Sequence, residues 1–203
     1  MSKTSGTIKI SELMESSGVK FGTSGARGLA DEMTDFVCYS YTLAFLDYLI
    51  ESKQISTGDS VAIAGDYRPS TPRIMAAVAK AVTSTGCEPI NCGYIPTPAD
   101  ACYSMARYIA SIMVTGSHIP DDRNGIKFYK PAGEILKNDE EQMCSREINV
   151  AEELFDTHGN ARVASLSAAN TDAYQEYKRS EEHTSELQSH HDLVCRLLLE
   201  KKK

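Results

Sequence analysis

The sequence predicts an α/β protein, a three-layer α/β/α sandwich with a mainly parallel sheet. Short apolar runs of strand length alternate with amphipathic or alanine-rich helical stretches over residues 1–155, a rhythm typical of layered α/β folds. Polar segments follow several of the strands, as in sheets that bind ligands at the carboxyl ends of their strands. We therefore expect a functional site at one edge of the sheet.

The first half of the chain alternates strand and helix. A short strand-like piece opens Val19–Gly28, which then becomes rich in glycine. Thr34 or Asp35 can cap a helix that runs to about Lys53 with a broad apolar face. The apolar run Ser60–Gly65 has the length of a strand covered on both faces.

The pattern continues through the second half. Ser70 or Thr71 caps the next helix, which carries Pro72 early and closes at Gly86. The remaining predicted elements are a strand at Glu88–Gly93, a helix around Ala99–Arg107, strands at Ala110–Thr115 and Gly125–Tyr129, and a helix from Asn138 or Asp139 to about Phe155. Three loops near strand ends become candidate site segments: Gly22–Gly28, Asp66–Ser70 and Gly116–Asn124.

Composition narrows the function classes. The chain has 203 residues and a net charge of −7, which argues against nucleic-acid or anionic-membrane partners because both favour a basic surface. No apolar run approaches the roughly 20 residues of a membrane span. The six cysteines form no CxxC pair, so we expect reduced thiols in a cytoplasmic protein.

The chain divides into three parts by sequence character. Residues 1–155 form the predicted domain, and 156–178 read as a linker and the truncated start of a second domain. Residues 179–203 differ in character, and their opening run RSEEHTSELQSH is what the codons of a widely used sequencing adapter would encode. We expect this tail to be non-native and exclude it from the fold.

The strongest motif is TGSHIP at residues 115–120, followed by NGIK at 124–127. Ser117 leaves an apolar strand beside a glycine that allows close backbone approach. A serine nucleophile needs a base and charge stabilisation, which His118 and Lys127 could supply. The alternative is a polar loop with an ordinary hydrogen-bonded histidine.

A second motif is the glycine-rich segment FGTSGARG at residues 21–28. It is neither a dinucleotide fingerprint nor a P-loop. Thr23 and Ser24 offer hydroxyls, and the planar fork of Arg27 suits a phosphate. These residues are candidate phosphate ligands, although a loop with a surface arginine would read the same way.

Together these motifs resemble the α-D-phosphohexomutase superfamily, the phosphoglucomutase and phosphomannomutase enzymes. FGTSGARG is similar to the opening signature of the family, TGSHIP to its phosphoserine loop T-A-S-H-N-P, NGIK to its N-G-x-K, and AGDYRPS at 64–70 to its G-x-D-x-R segment. Gly116 and Ile119 depart from the usual alanine and asparagine. The resemblance covers about residues 18–178 and implies the fold of domain I.

The resemblance also implies a reaction. Ser117 would carry a phosphoryl group that moves between C1 and C6 of a hexose phosphate through a bisphosphorylated intermediate. A Mg²⁺ ion would contact the phosphate on Ser117, and Arg27 would brace the transferred group. His118 and Lys127 both remain possible general bases, and Asn124 joins Lys127 as a substrate-binding candidate.

The family's DGDxDR metal loop and its sugar-reading loops have no counterpart in this sequence. We therefore expect the chain as written to be inactive, because one phosphate contact cannot complete the octahedral shell of Mg²⁺. Two alternatives stay open. One is a small hydrolase using Ser117 and His118, which lacks a GxSxG motif. The other is a non-catalytic domain in which Thr23, Ser24, Arg27 and Ser117 bind sugar phosphates or other anions.

Overall fold

The computed structural model describes residues 5–22, 25–163 and 165–182. The strands are β1 Ser5–Lys9, β2 Lys20–Gly22, β3 Gly25–Leu29, β4 Ser60–Gly65, β5 Glu88–Tyr94, β6 Ala110–Val114, β7 Arg123–Lys130, β8 Gly133–Glu134 and β9 Glu147–Ala151. The helices are α1 Ile10–Ser17, α2 Asp35–Glu51, α3 Thr71–Ser84, α4 Thr97–Arg107 and α5 Lys137–Cys144. A 3₁₀ turn follows at Glu152–Leu154, and residues 172–182 are helical.

The central sheet has the strand order β2-β3-β7-β6-β4-β5, with β8 added beside β7. Strand β4 runs parallel to β5 and β6, whereas β7 is antiparallel to both β6 and β3. The eight residues between β6 and β7 are too few for the crossover that a parallel pair requires. The predicted α/β/α class is confirmed, with a mixed sheet whose parallel part is β4, β5 and β6.

Alternating side chains of β4 enter two different cores. Val61 and Ile63 belong to the larger apolar cluster, which includes residues of α2 and α3, whereas Ala62 and Ala64 belong to a second cluster that includes Tyr103 of α4. All four side chains are fully buried. Because successive strand residues point to opposite faces, the sheet is covered on both sides, as the apolar run predicts.

Helix α2 is buried along most of its length, as its broad apolar face predicts. Thr34 caps it by accepting a 3.3 Å hydrogen bond from the Val37 amide. The helix packs on α3, and its Phe45 ring lies 4.8 Å from the ring of Phe128 in β7. This packing connects the helical layer directly to the strand that carries Lys127.

The prediction of one helix from residue 138 to about 155 is wrong beyond Cys144. Residues 147–151 form strand β9, antiparallel to β1 at the other end of the chain. Ile148 and Val150 are buried while Glu147 and Asn149 are exposed, an alternation of period two that marks a strand. Neither β1 nor the following helix α1 was predicted, because the N-terminal sequence is mostly polar.

The segment after residue 155 packs on the domain. The Asn91 side chain donates to the Ser167 carbonyl at 2.6 Å, and the Asn170 amide donates to the Asn91 carbonyl at 2.7 Å. Arg107 of α4 forms a two-point ion pair with Glu176. The division into a domain, a linker and a second-domain start stays a prediction, and residues 183–203 of the proposed tail lie outside the described part.

Candidate functional site

The site lies where β4 and β6 end side by side. The Asp66 amide, directly after β4, donates to the Val114 carbonyl at the end of β6 at 3.0 Å. The Thr115 amide donates to the Gly125 carbonyl of β7 at 2.9 Å. The loop that begins at Gly116 is therefore anchored to both neighbouring strands at the edge where ligands bind in such sheets.

Asp66 organises the start of this loop. Its carboxylate accepts hydrogen bonds from Thr71 Oγ1 at 2.7 Å, the Arg68 amide at 3.1 Å, the Gly116 amide at 3.0 Å and Thr115 Oγ1 at 3.1 Å. Partial burial alone would raise the pKa of Asp66, but these hydrogen bonds outweigh it and hold the pKa below its ordinary 3.8. Asp66 therefore stays charged at neutral pH.

Ser117 is exposed and has a left-handed backbone conformation with φ of 55°. Its amide donates to Thr115 Oγ1 at 2.9 Å, and the Ile119 amide donates to the Gly116 carbonyl at 3.1 Å, which closes a turn around it. Ser117 Oγ lies 3.4 Å from Nδ1 of the exposed His118. A residue other than glycine rarely adopts such a backbone conformation unless its surroundings hold it there. The two hydrogen bonds of the turn provide that restraint and leave the Ser117 side chain exposed to solvent.

Arg27 and Lys127 share one face of the sheet. In the β3–β7 pair, Arg27 is opposite Gly125 and Gly25 is opposite Lys127. Directly opposite residues point to the same side, so Arg27 and Lys127 are diagonal neighbours. A Cβ built on Gly125 would lie 3.1 Å from Arg27 Cγ, because the arginine stem runs over that glycine. Within the described residues, neither cationic group has a hydrogen-bond or ion-pair partner.

Both cations are on strands whose backbones continue toward the serine loop. The stem of Arg27 lies over Gly125. The Gly125 carbonyl accepts a hydrogen bond from the amide of Thr115, which is two positions before Ser117. Lys127 is opposite Met113 on β6, and helix α4 packs chiefly on β4 and β6. The sheet register therefore places Arg27 and Lys127 on the two strands next to the segment that leads into the serine loop, and their joint action with Ser117 stays a prediction.

The other candidate ligands fall into two groups. Asn124 is fully buried, and its amide nitrogen donates to Ser70 Oγ at 2.8 Å and Thr71 Oγ1 at 3.1 Å, so it joins β7 to the start of α3. Thr23 and Ser24 lie outside the described residues. A substrate contact by any of these three residues stays a prediction.

From the sequence, Asp66 and Arg68 were predicted only as members of the candidate loop Asp66–Ser70, with no role of their own. The signal that could have singled out their side chains is the G-D-x-R string directly after an apolar strand. Together with Ser117 they line a shallow groove whose other members are Tyr67, Pro69 and Asp121. Tyr67 is 85% exposed and stacks against Tyr94 with ring centroids 5.1 Å apart.

The donor set around Ser117 does not fit Mg²⁺ by itself. No group of three or more histidine, cysteine or acidic side chains that could hold a metal occurs in the described part of the chain. Asp66 is committed to the hydrogen bonds of the loop, and Asp121 lies 3.6 Å from Arg68 as an ion pair. An octahedral Mg²⁺ site needs more oxygen ligands than these residues can donate.

Comparison with known proteins covers the region that holds this site. The family model described as phosphoglucomutase/phosphomannomutase, alpha/beta/alpha domain I, matches residues 18–154. The chain is 43% identical over 162 residues to a phosphomannomutase of Sinorhizobium fredii (strain NBRC 101917 / NGR234), covering 77% of this chain and 33% of that protein. It is 46% identical over 129 residues to a phosphomannomutase of Salmonella muenchen, covering 64% and 26%.

A more distant curated relative and a solved structure are similar to the same part of the chain. A phosphoglucosamine mutase of Syntrophomonas wolfei is 34% identical over 128 residues, covering 62% of this chain and 28% of that protein. A crystal structure of a protein from Thermus thermophilus superposes with a TM-score of 0.58 at 22% identity, covering 75% and 33%, and supports the fold. The chain thus spans a third or less of these curated relatives. From the match over residues 18–154, the chain belongs to the phosphoglucomutase/phosphomannomutase family, of which that region is the α/β/α domain I.

Proposed function

We propose that this chain is the phosphoserine-carrying N-terminal part of a phosphohexomutase, which moves a phosphoryl group between C1 and C6 of a hexose phosphate. The observation that carries the proposal is the exposed Ser117 hydroxyl, held in a left-handed turn of the loop that leads from β6 to β7, the strand that bears Lys127 and pairs with the strand of Arg27. Relatives named phosphomannomutase and phosphoglucosamine mutase support a hexose phosphate as the substrate class.

The proposed chemistry is a pair of phosphoryl transfers. A sugar hydroxyl oxygen attacks the phosphorus on Ser117, the bond from phosphorus to Ser117 Oγ breaks, and the hydroxyl proton passes to a base while Oγ is left to be protonated. The bisphosphorylated sugar then turns over and returns its other phosphoryl group to Oγ by the reverse steps. His118 and Lys127 are both candidates for the base, and His118 Nδ1 lies 3.4 Å from Oγ, so a small shortening would bring it within reach of a direct proton transfer.

Positioning and charge neutralisation supply most of the rate in phosphoryl transfer. The guanidinium of Arg27 would brace the transferred phosphate in a two-point contact, and Lys127 would neutralise developing charge as a point cation. Thr23 and Ser24 would add hydroxyl donors. Asn124 would be a further substrate contact, and its amide nitrogen, which donates to Ser70 and Thr71, also joins β7 to the start of α3.

The family resemblance implies Mg²⁺ as the cofactor, which would supply charge neutralisation at the phosphate. Ser117 would contribute one phosphate oxygen to it, and the other ligands would come from outside the described residues. We therefore propose that this chain alone does not catalyse the mutase reaction. It would act as the phosphoryl-carrying domain of a longer cytoplasmic enzyme, with a hexose phosphate and its bisphosphorylated form as partners.

A cytoplasmic location is supported by the cysteines. The five described cysteines are all free thiols, and Cys38, Cys87 and Cys92 are buried. Burial raises the pKa of Cys38 and Cys92 to about 12, so these thiols stay protonated and unreactive. No helix in residues 5–22, 25–163 or 165–182 is long and apolar enough to cross a bilayer.

Mass spectrometry of the Ser117 peptide tests the carrier role. The purified chain is incubated for a long period with glucose 1,6-bisphosphate and Mg²⁺, and we expect a slow gain of about 80 Da on that peptide, because a single transfer to Oγ does not require the sugar to be held and turned over. Ser117→Ala abolishes the gain, whereas Ser145→Ala, at an exposed serine after α5, leaves it unchanged. Absence of the gain from the unaltered chain, both as purified and after incubation, contradicts the proposal.

The expected inactivity has its own test. A coupled assay that follows conversion of glucose 1-phosphate to glucose 6-phosphate should detect no turnover by the purified chain. Turnover that disappears in Ser117→Ala would overturn the inactivity while keeping the carrier role. Binding of glucose 6-phosphate with no phosphorylation of Ser117 would instead favour the non-catalytic anion-binding domain.

A further inference from the structure

The Arg68 side chain ties the serine loop to the end of β4. Its Nη1 donates to the Pro120 carbonyl at 2.6 Å and the Arg123 carbonyl at 3.1 Å, and its Nη2 donates to the Ile119 carbonyl at 2.7 Å. Its Nε donates to the Asp66 carboxylate at 3.2 Å. The side chain is only 11% exposed, so the guanidinium is committed to the loop and to Asp66.

Asp66 and Arg68 hold opposite ends of the same loop. Asp66 accepts from the Gly116 amide on the side where the loop leaves β6. Arg68 donates to the carbonyls on the side where the loop approaches β7. The ion pair between them links the two ends, and Ser117 lies between. Hydrogen bonds from a charged donor are stronger than neutral ones, so this clamp restrains the turn that carries the hydroxyl.

Gly116 provides the space in which Arg68 sits. A Cβ on Gly116 would overlap Nε and Cζ of Arg68 and would lie 2.6 Å from Nη2. The Gly116 backbone does not have a positive φ, so an alanine here would push the Arg68 guanidinium aside rather than strain the backbone. The present position of the guanidinium therefore depends on the absence of a side chain at residue 116.

We infer that Arg68 is a positioning residue for Ser117, seated against Gly116 and fixing the left-handed turn from which the hydroxyl is presented. The inference rests on the proposed role of Ser117 as a phosphoryl carrier. Four of the five N–H donors of Arg68 already go to loop carbonyls and Asp66, so its main role is to hold the loop. This separates its role from that of Arg27, whose guanidinium has no partner among the described residues.

Arg68→Ala is the first test, with Arg73→Ala as the matched control. Arg73 also bridges backbone carbonyls, donating to Met33 and Ala30, and pairs with Asp35. None of these partners belongs to the loop between β6 and β7. We expect both variants to lower the melting temperature. Only Arg68→Ala should change the ¹³Cα and ¹³Cβ shifts of Ser117, which report its left-handed backbone. It should also speed amide exchange at Ser117 and Ile119 roughly tenfold relative to the control.

A double-variant comparison keeps the test decisive if Arg68→Ala folds poorly. Gly116→Ala retains the arginine but displaces it, so it should reproduce the Ser117 shift changes. Arg68→Lys should show part of the effect, because one ammonium cannot reach the spread of acceptors that the guanidinium fork spans. In an Arg68→Lys background, Gly116→Ala should add less than it does alone.

The inference fails if the Ser117 shifts and exchange rates in Arg68→Ala match those of Arg73→Ala. It also fails if Gly116→Ala has the same effect with and without Arg68→Lys. Neither measurement uses a phosphoryl donor. If the role of Arg68 is disproved, the mass-spectrometric test of Ser117 phosphorylation still stands. If Ser117 is not phosphorylated, the chemical shifts and exchange rates still show whether Arg68 holds the turn.

Discussion

Arg27 and Lys127 lie diagonally across the β3–β7 strand pair on the same face of the sheet, with Gly125 and Gly25 as their direct cross-strand partners. The two glycines leave that face free of other side chains between the cations. We predict that a phosphate on Ser117, in the loop that joins β6 to β7, experiences both positive charges, because neither is neutralised by a described partner.

This arrangement predicts the titration of a phosphate on Ser117. With phosphoserine incorporated at position 117 during synthesis, ³¹P NMR reports its second pKa, which is about 6 for a free phosphoserine. Arg27→Ala and Lys127→Ala should each raise that pKa by roughly half a unit, since each removes a cation that favours the dianion. Lys80→Ala, on helix α3, serves as the control and should leave the value unchanged. Equal values in all variants would contradict the predicted proximity.

The left-handed conformation of Ser117 predicts an unusual preference for glycine. Ser117→Gly should unfold with a free energy about 1 kcal/mol higher than Ser117→Ala, because glycine removes the steric cost of a Cβ at φ of 55°. Urea unfolding of the two variants measures the difference. At Ser145, where φ is −78°, the order should reverse and alanine should be the more stable. A more stable Ser117→Ala would argue against the observed turn.

The hydrogen bonds to Asp66 predict an acid-sensitive contribution to stability. Asp66→Asn should lower the free energy of unfolding at pH 7 by roughly 2–4 kcal/mol, because charge-assisted hydrogen bonds and the ion pair to Arg68 are lost together. The folded pKa lies below 3.8, so the carboxylate stabilises the fold above pH 3.8, and that stabilisation disappears as the pH falls through the folded pKa. Chemical unfolding from pH 7 to 3 should show the two proteins converging in acid. A constant difference would contradict this assignment.

The burial of Asp100 predicts a contribution to the free energy of unfolding whose pH dependence is opposite to that of Asp66. It is fully buried in α4, Ser111 Oγ donates to its Oδ2 at 3.0 Å, and no described group bonds its Oδ1. Burial raises the pKa of Asp100 to about 7 against the opposing hydrogen bond from Ser111. The folded state thus holds a proton that an unfolded aspartate of pKa 3.8 has lost, and stability falls as the pH rises from 3.8 to 7.

Asp100→Asn should therefore melt at a higher temperature than the unaltered protein at pH 8, by an equivalent of roughly 1–3 kcal/mol. Near pH 4 the gain should vanish. Asp139→Asn is the contrasting variant, since Asp139 accepts from Lys130 Nζ at 2.6 Å and from Tyr48 Oη at 2.5 Å. It should destabilise the protein at pH 8 by leaving Lys130 unpaired. A destabilised Asp100→Asn at pH 8 would show that the carboxylate has a charged partner.

The local sequence pattern was sufficient to predict those helices and strands whose buried face can be recognised from the spacing of their own apolar residues. Helices α2 and α3 and strands β4 and β6 follow from apolar spacing, capping residues and glycine or proline positions. The pattern failed at β9 because that strand depends on a distant partner. The Thr7 hydroxyl donates to Asn149 Oδ1 at 2.9 Å across 142 positions of sequence, and no window of local sequence contains both strands.

The amino-acid sequence alone was enough to select Ser117, Arg27 and Lys127 as candidates and to give the order of the motifs, because these depend on residue types at fixed spacing. The shared face of Arg27 and Lys127 arises from a register between β3 and β7, strands separated by the 93 residues from 30 to 122. The Arg68 clamp likewise needs β4 and β6 to end side by side. Strand order and register are fixed because the sheet must bury an apolar cluster on each of its two faces at the same time. The residues of these clusters come from distant parts of the chain, so they meet only in the folded protein.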